Sequence, residues 1–174
     1  MKKSILLTSY FLFASLFSTT QSIALENSVS ANQITGEWKC LIVYDTKLNL
    51  KTLDKLEFDK NGTSFGIGYI FINNEFVYET SHTGNWTINN DILSETGSYT
   101  MISMHPDFII QRLKADKNYA EKERQLKQHL LDGLNSNQGI NFKINQIEKN
   151  QFTFDQLIGD KKYAGSCKRL KTSN

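Results

Sequence analysis

The stretch ITGEWKC, Ile34 to Cys40, decides how the rest of the chain is read. In a strand its alternation puts Gly36, Trp38 and Cys40 on one face and Glu37 and Lys39 on the other. The only other cysteine, Cys167, lies near the opposite end, where Tyr163, Gly165, Cys167 and Arg169 again share one side. An even cysteine count in an exported chain reads as a disulfide. If Cys40 lies opposite Cys167 in antiparallel strands, Trp38 falls opposite Arg169 and Tyr44 opposite Tyr163. First and last strands that pair close a sheet into a barrel. The indole and guanidinium then stack at its floor in a cation–π contact worth ~1–2 kcal/mol when desolvated. Gly36 sits where a Cβ would crowd that floor. An ordinary core tryptophan in an open sheet is the alternative.

Export is read from the other end of the chain. Residues 1–24 show two lysines, an apolar run from Ile5 to Phe17 and a small-residue finish at Ala24, the layout of a cleaved signal peptide. The run is short of the roughly 20 apolar residues a membrane span needs. Periplasmic or fully secreted placement is expected, with a disordered lead over 25–34 and one domain over 35–171. Losing Lys2 and Lys3 from the 20 basic residues leaves 18 against 18 acidic ones. That balance argues against a nucleic-acid partner, and no stable membrane insertion is expected.

Period-two alternation and turn residues give eight strands, at about 35–45, 50–60, 63–72, 75–88, 91–104, 139–148, 151–158 and 161–170. Asn61-Gly62, Asn73-Asn74, Asn89-Asn90 and Gly159-Asp160 are read as short turns. Two-residue loops would pair Phe58 with Phe65, Phe71 with Phe76, Tyr69 with Tyr78 and Trp86 with Leu93. One face would then be aromatic across four strands. The fold class predicted is all-β: an eight-stranded antiparallel up-and-down barrel with one helix inserted between strands 5 and 6.

Gly36, Trp38 and Arg169 together resemble the Gly-x-Trp and last-strand Arg signature of lipocalins. "FDKNGT" (Phe58 to Thr63) and "GNWTINNDIL" (Gly84 to Leu93) are similar to further pieces of bacterial lipocalin-like domains. The resemblance covers about 35–104 and the final strand. It implies a barrel that carries a small ligand, although lipocalins place their helix after the last strand.

Within the insertion, about 105–138, NYAEKERQLKQHLLDGLN reads as helix, with Asn118 and Glu121 as a capping box and Tyr119, Leu126, Leu130, Leu131 and Leu134 as its apolar stripe. It emerges at the open end. It can fold over the mouth, or pack on the outer side near Val43, Leu53, Ile70, Ile72 and Val77; the side is favoured, because those aliphatics would otherwise be exposed. Residues 105–116 are expected to be a mobile approach, with His105 and His129 solvated.

Catalytic motifs are absent: no phosphate loop, nucleophile elbow or paired-histidine metal spacing occurs. No catalytic residue, metal ligand or cofactor is therefore assigned. The inward polar groups are few, with His82 and Glu95 as diagonal neighbours. They are read first as a satisfied buried pair, then as handles for a ligand, and last as an acid and base. Candidate cavity residues are His82, Glu95, Tyr69, Tyr78, Tyr99 and Phe65. Glycines 84, 97 and 165 are the places where one wall could leave room. The expected function is a monomeric, non-catalytic carrier of a small apolar or amphipathic ligand. The alternative is a protein-binding module, an inhibitor or immunity protein, that uses the rim loops and the insertion.

Overall fold

The computed structural model of the protein describes residues 28–136 and 139–171; the expected signal peptide lies outside the described residues. The elements run α1 (Ala31–Ile34), β1 (Gly36–Asp45), β2 (Leu50–Phe58), β3 (Thr63–Ile72), β4 (Phe76–Asn89), β5 (Ile92–Ser103), α2 (Asp107–Ala115), α3 (Lys117–Leu134), β6 (Ile140–Ile147), β7 (Gln151–Ile158) and β8 (Lys161–Arg169). The eight strands pair in chain order and form a closed antiparallel barrel. This is the general architecture of lipocalins.

Closure is made by β1 and β8, where Trp38 pairs with Arg169 and Cys40 with Cys167. The two cysteines form a disulfide across that seam, 127 residues apart in sequence. Fully buried Trp38 donates its Nε1–H to the Ile34 carbonyl at 2.6 Å. The Arg169 guanidinium lies 4.0 Å above its ring. The same guanidinium donates to the carbonyls of Thr35 and Gln33, each at 2.7 Å, and of Lys149 at 3.0 Å. Gly36, at φ 118°, has its open side against Arg169 Nη1, which would lie 2.6 Å from a Cβ placed there. The lead is ordered at its end: α1 is one helical turn whose Ile34 is fully buried against the floor.

The register of β3 corrects the sequence reading. Phe58 pairs with Ser64 and Leu56 with Gly66, one residue away from the expected Phe58–Phe65 pairing. The cause is the turn. The Gly62 N–H bonds the Asp59 carbonyl at 3.0 Å and the Asp59 N–H bonds the Thr63 carbonyl at 2.9 Å, while Gly62 alone takes a left-handed φ of 87°. That is a three-residue hairpin loop ending in a left-handed glycine, rather than a two-residue one. A one-residue slip inverts a strand. Phe65, Ile67 and Tyr69 therefore face outward at 45%, 42% and 36% exposure, and Ser64, Gly66, Gly68 and Ile70 face inward. At the next turn Glu75 is the extra residue, so Ile72 pairs with Phe76 and β4 regains the expected face. The β4–β5 turn forms at Asn90-Asp91, which slides the pairing by two residues and keeps the facing.

The insertion holds two helices where one was expected. Pro106 precedes α2, and Asp116, in an extended conformation, separates α2 from α3. Asp116 also caps α3 by accepting from the Asn118 and Tyr119 N–H groups, a role the sequence reading gave to Asn118. Leu130, Leu131 and Leu134 pack on Ile70, Tyr78 and Met101. Those three are inward-facing residues of the upper barrel, so α3 lies over the mouth rather than on the side. Among the described residues no helix is long and apolar enough to cross a membrane.

Candidate functional site: a capped chamber

All eight strands, with Leu134 of α3 above, surround a chamber of about 70 Å³ at the barrel centre. Its lower wall is apolar, with Leu56, Phe58, Leu93, Phe142, Phe152 and Phe154. Its upper wall carries Tyr44, Thr52, Asp54, Thr80, His82, Glu95, Tyr99 and Gln156. Six of its lining residues also line a cleft of about 540 Å³ between the rim and α3, whose other walls include Leu50, Leu130, Leu157 and Ile158. Ligand sites usually occupy a few hundred Å³ or more. Chamber and cleft together reach that size; the chamber alone does not.

The polar groups are held by parity and by glycine. On β2, Thr52 and Asp54 share the inward parity of Leu56 and Phe58. On β3, the inward positions opposite Asp54 and Leu56 are Gly68 and Gly66. A methyl group on Gly68 would coincide with the Asp54 carboxylate, and one on Gly66 would strike the His82 ring. The inverted register of β3 therefore gives the carboxylate and the imidazole their room. Glycines 84, 97 and 165 do not open the wall. Gly84 and Gly97 face each other closely enough that a Cβ on either would hit the opposing backbone, and the Phe154 ring covers Gly165.

His82 Nε2 and Glu95 Oε1 are 2.8 Å apart and both residues are buried. The imidazole stacks on Tyr99 at 4.6 Å. Tyr44 donates to Gln156 Oε1 at 2.5 Å and packs on Tyr163 at 5.0 Å. Asp54 makes no ion pair among the described residues. Burial pushes its carboxyl up to about 6, against the smaller opposing effect of the His82 charge. Burial also holds the Tyr44 and Tyr99 phenols well above their ordinary range, helped by the charges of Asp54 and Glu95 respectively. Both stay neutral. Thr52 Oγ1 is buried near Tyr44 and Asp54, yet lies in hydrogen-bond geometry with neither.

Of the residues singled out from the sequence, His82, Glu95 and Tyr99 line the chamber together. Phe65 and Tyr69 do not: the slip of β3 puts both on the outer surface, where Tyr69 donates to Glu79 at 2.9 Å. Tyr78 faces inward but is packed beneath α3, above the chamber. Asp54 and Thr52 were missed, although their parity with Phe58 was legible. His105, expected in solvent, is buried. Its Nδ1 accepts the Val77 N–H at 3.1 Å, so its proton is on Nε2 and is donated to Glu123 at 2.9 Å. That pair fastens α3 to the rim, whereas His129 is exposed.

A second fastening sits beside Glu95. β5 pairs with β6 only over Ile92–Glu95. Above that point the Asn135 side-chain amide accepts from the Tyr99 N–H at 2.8 Å and donates to the Tyr99 carbonyl at 3.1 Å. The amide thus takes the place of a strand. Among the described residues no three His, Cys, Asp or Glu side chains stand close enough to share a metal ion. No family model matches this sequence, and no curated protein matches it significantly.

Proposed function

We propose that this protein is an exported, lipocalin-like, non-catalytic barrel that binds a small amphipathic molecule in its chamber, with the apolar part in the cleft under α3. One observation carries the reading: a chamber with a polar wall and an apolar floor continues into an apolar cleft beneath a helix held by side-chain contacts. The closed architecture and the Trp38–Arg169 floor support a lipocalin-like assignment. His82 and Glu95 serve here as orienting groups, because His82 already spends one nitrogen on Glu95 and its Nδ1 edge lies against Gly66. Native mass spectrometry of the protein purified from its own source tests the proposal. A retained species of a few hundred daltons, released on unfolding, is the expected result. Protein that carries no such species and takes up none of a panel of amphiphiles would overturn it.

A different observation favours a second reading. Ile102 near the end of β5, Met104 just after it and Phe108 on α2 are 58%, 51% and 64% exposed, and large exposed apolar side chains are what a protein contact uses. A protein partner lost on Phe108→Asp, with the chamber free of ligand, would establish the module reading instead.

A further inference from the structure

The charge of the chamber selects the head of its ligand. Neither the chamber nor the cleft is lined by any Lys or Arg. Two carboxyl groups, Asp54 and Glu95, face a single imidazole, His82, and Glu95 already holds it. Even with His82 protonated, a chamber with both carboxylates ionised keeps one negative charge without a partner. A buried charge is retained at high cost unless it is paired. The buried Thr52 hydroxyl beside Asp54 is an unused acceptor and donor aimed into the same space.

We infer that the ligand of this chamber carries a protonated amine, held by Asp54 and Thr52, with an apolar tail running out beneath α3. The inference rests on the ligand-binding reading above. An ammonium group brings three donors and one positive charge, which matches the Asp54 carboxylate and the free Thr52 oxygen and neutralises the chamber. A fatty carboxylate would instead add a third acid to a wall that has no basic side chain besides His82. Head and tail are spaced by the fold itself: Asp54 lies one inward position below Thr52, and Thr52 and Ile70 border both chamber and cleft.

Isothermal titration with three probes of one tail length tests this: n-octylamine, n-octanol and octanoate. Octylamine is expected to bind at least tenfold more tightly than octanol at pH 7.5, and octanoate more weakly than either. Asp54→Asn should abolish the preference for the amine over octanol. Its neutral amide is isosteric, so the fold is retained. Wild-type protein gives an independent readout. Octylamine binding should strengthen as pH rises through about 6, where the Asp54 carboxyl ionises, while octanol binding stays flat. The titratable groups facing Asp54 across the chamber are Tyr44, His82, Glu95 and Tyr99, with His129 at the cleft. Equal binding of octylamine and octanol, or octanoate as the tightest probe, overturns the amine assignment and leaves the carrier reading standing. Failure of all three probes overturns both.

Discussion

Asp54→Asn is also a test of stability, and its sign is opposite to the usual one for an acidic residue. Most carboxyls in folded proteins are stabilised as anions. Asp54 is destabilised as one, because burial raises its carboxyl from 3.8 in the unfolded chain to about 6 in the barrel. Between those values the folded state binds more protons than the unfolded state, so stability falls as pH rises. The full contribution is present below about pH 4 and gone above about pH 6. At 1.36 kcal/mol per pH unit the difference is about 3 kcal/mol, an upper figure given the neighbouring His82 and Glu95 charges. Asparagine keeps the shape without the titration. Urea melts of both proteins at pH 3.5 and pH 7.5 therefore give the comparison, since pH effects from groups distant from the chamber cancel in the difference. The two should agree within about 0.5 kcal/mol in acid, and the variant should be more stable by about 2–3 kcal/mol at pH 7.5. A variant less stable than wild type at pH 7.5, or a difference that does not vary with pH, would refute the placement of this carboxyl inside the chamber.

Reducing the Cys40–Cys167 bond should lower stability by ~3–5 kcal/mol, because it frees a loop spanning nearly the whole barrel. Melting temperature with and without reductant measures it, and an unchanged value would count against the seam. Gly66→Ala should displace the His82 ring from Glu95 and destabilise the fold by ~1–3 kcal/mol through overpacking. Imidazole resonances that keep their wild-type shifts in that variant would contradict the close approach. Asn135→Ala removes the amide that pairs with Tyr99 and should cost ~1–2 kcal/mol. Hydrogen exchange should accelerate at the Tyr99 amide and leave the β1–β8 seam protected; equal protection at both sites would show that the amide bond is dispensable.

Much of this architecture was legible in the amino-acid order. Alternation in ITGEWKC and around Cys167, with just two cysteines available, placed the seam, and a strand's period of two leaves little freedom once one pair is known. The same parity determined that Trp38, Tyr44, His82, Glu95 and Tyr99 point inward. The sequence was silent on the loop count at Asn61-Gly62, because the glycine suits a two-residue turn and a three-residue turn equally well. Only the folded hairpin decided between them. That single residue moved Phe65 and Tyr69 to the surface and put Gly66 and Gly68 inside, which created the space for Asp54 and His82. The position of α3 was likewise a tertiary outcome: its leucine stripe can satisfy any apolar face. The mouth won because the His105–Glu123 pair and the Asn135 amide, contacts between residues far apart in the chain, are made only there.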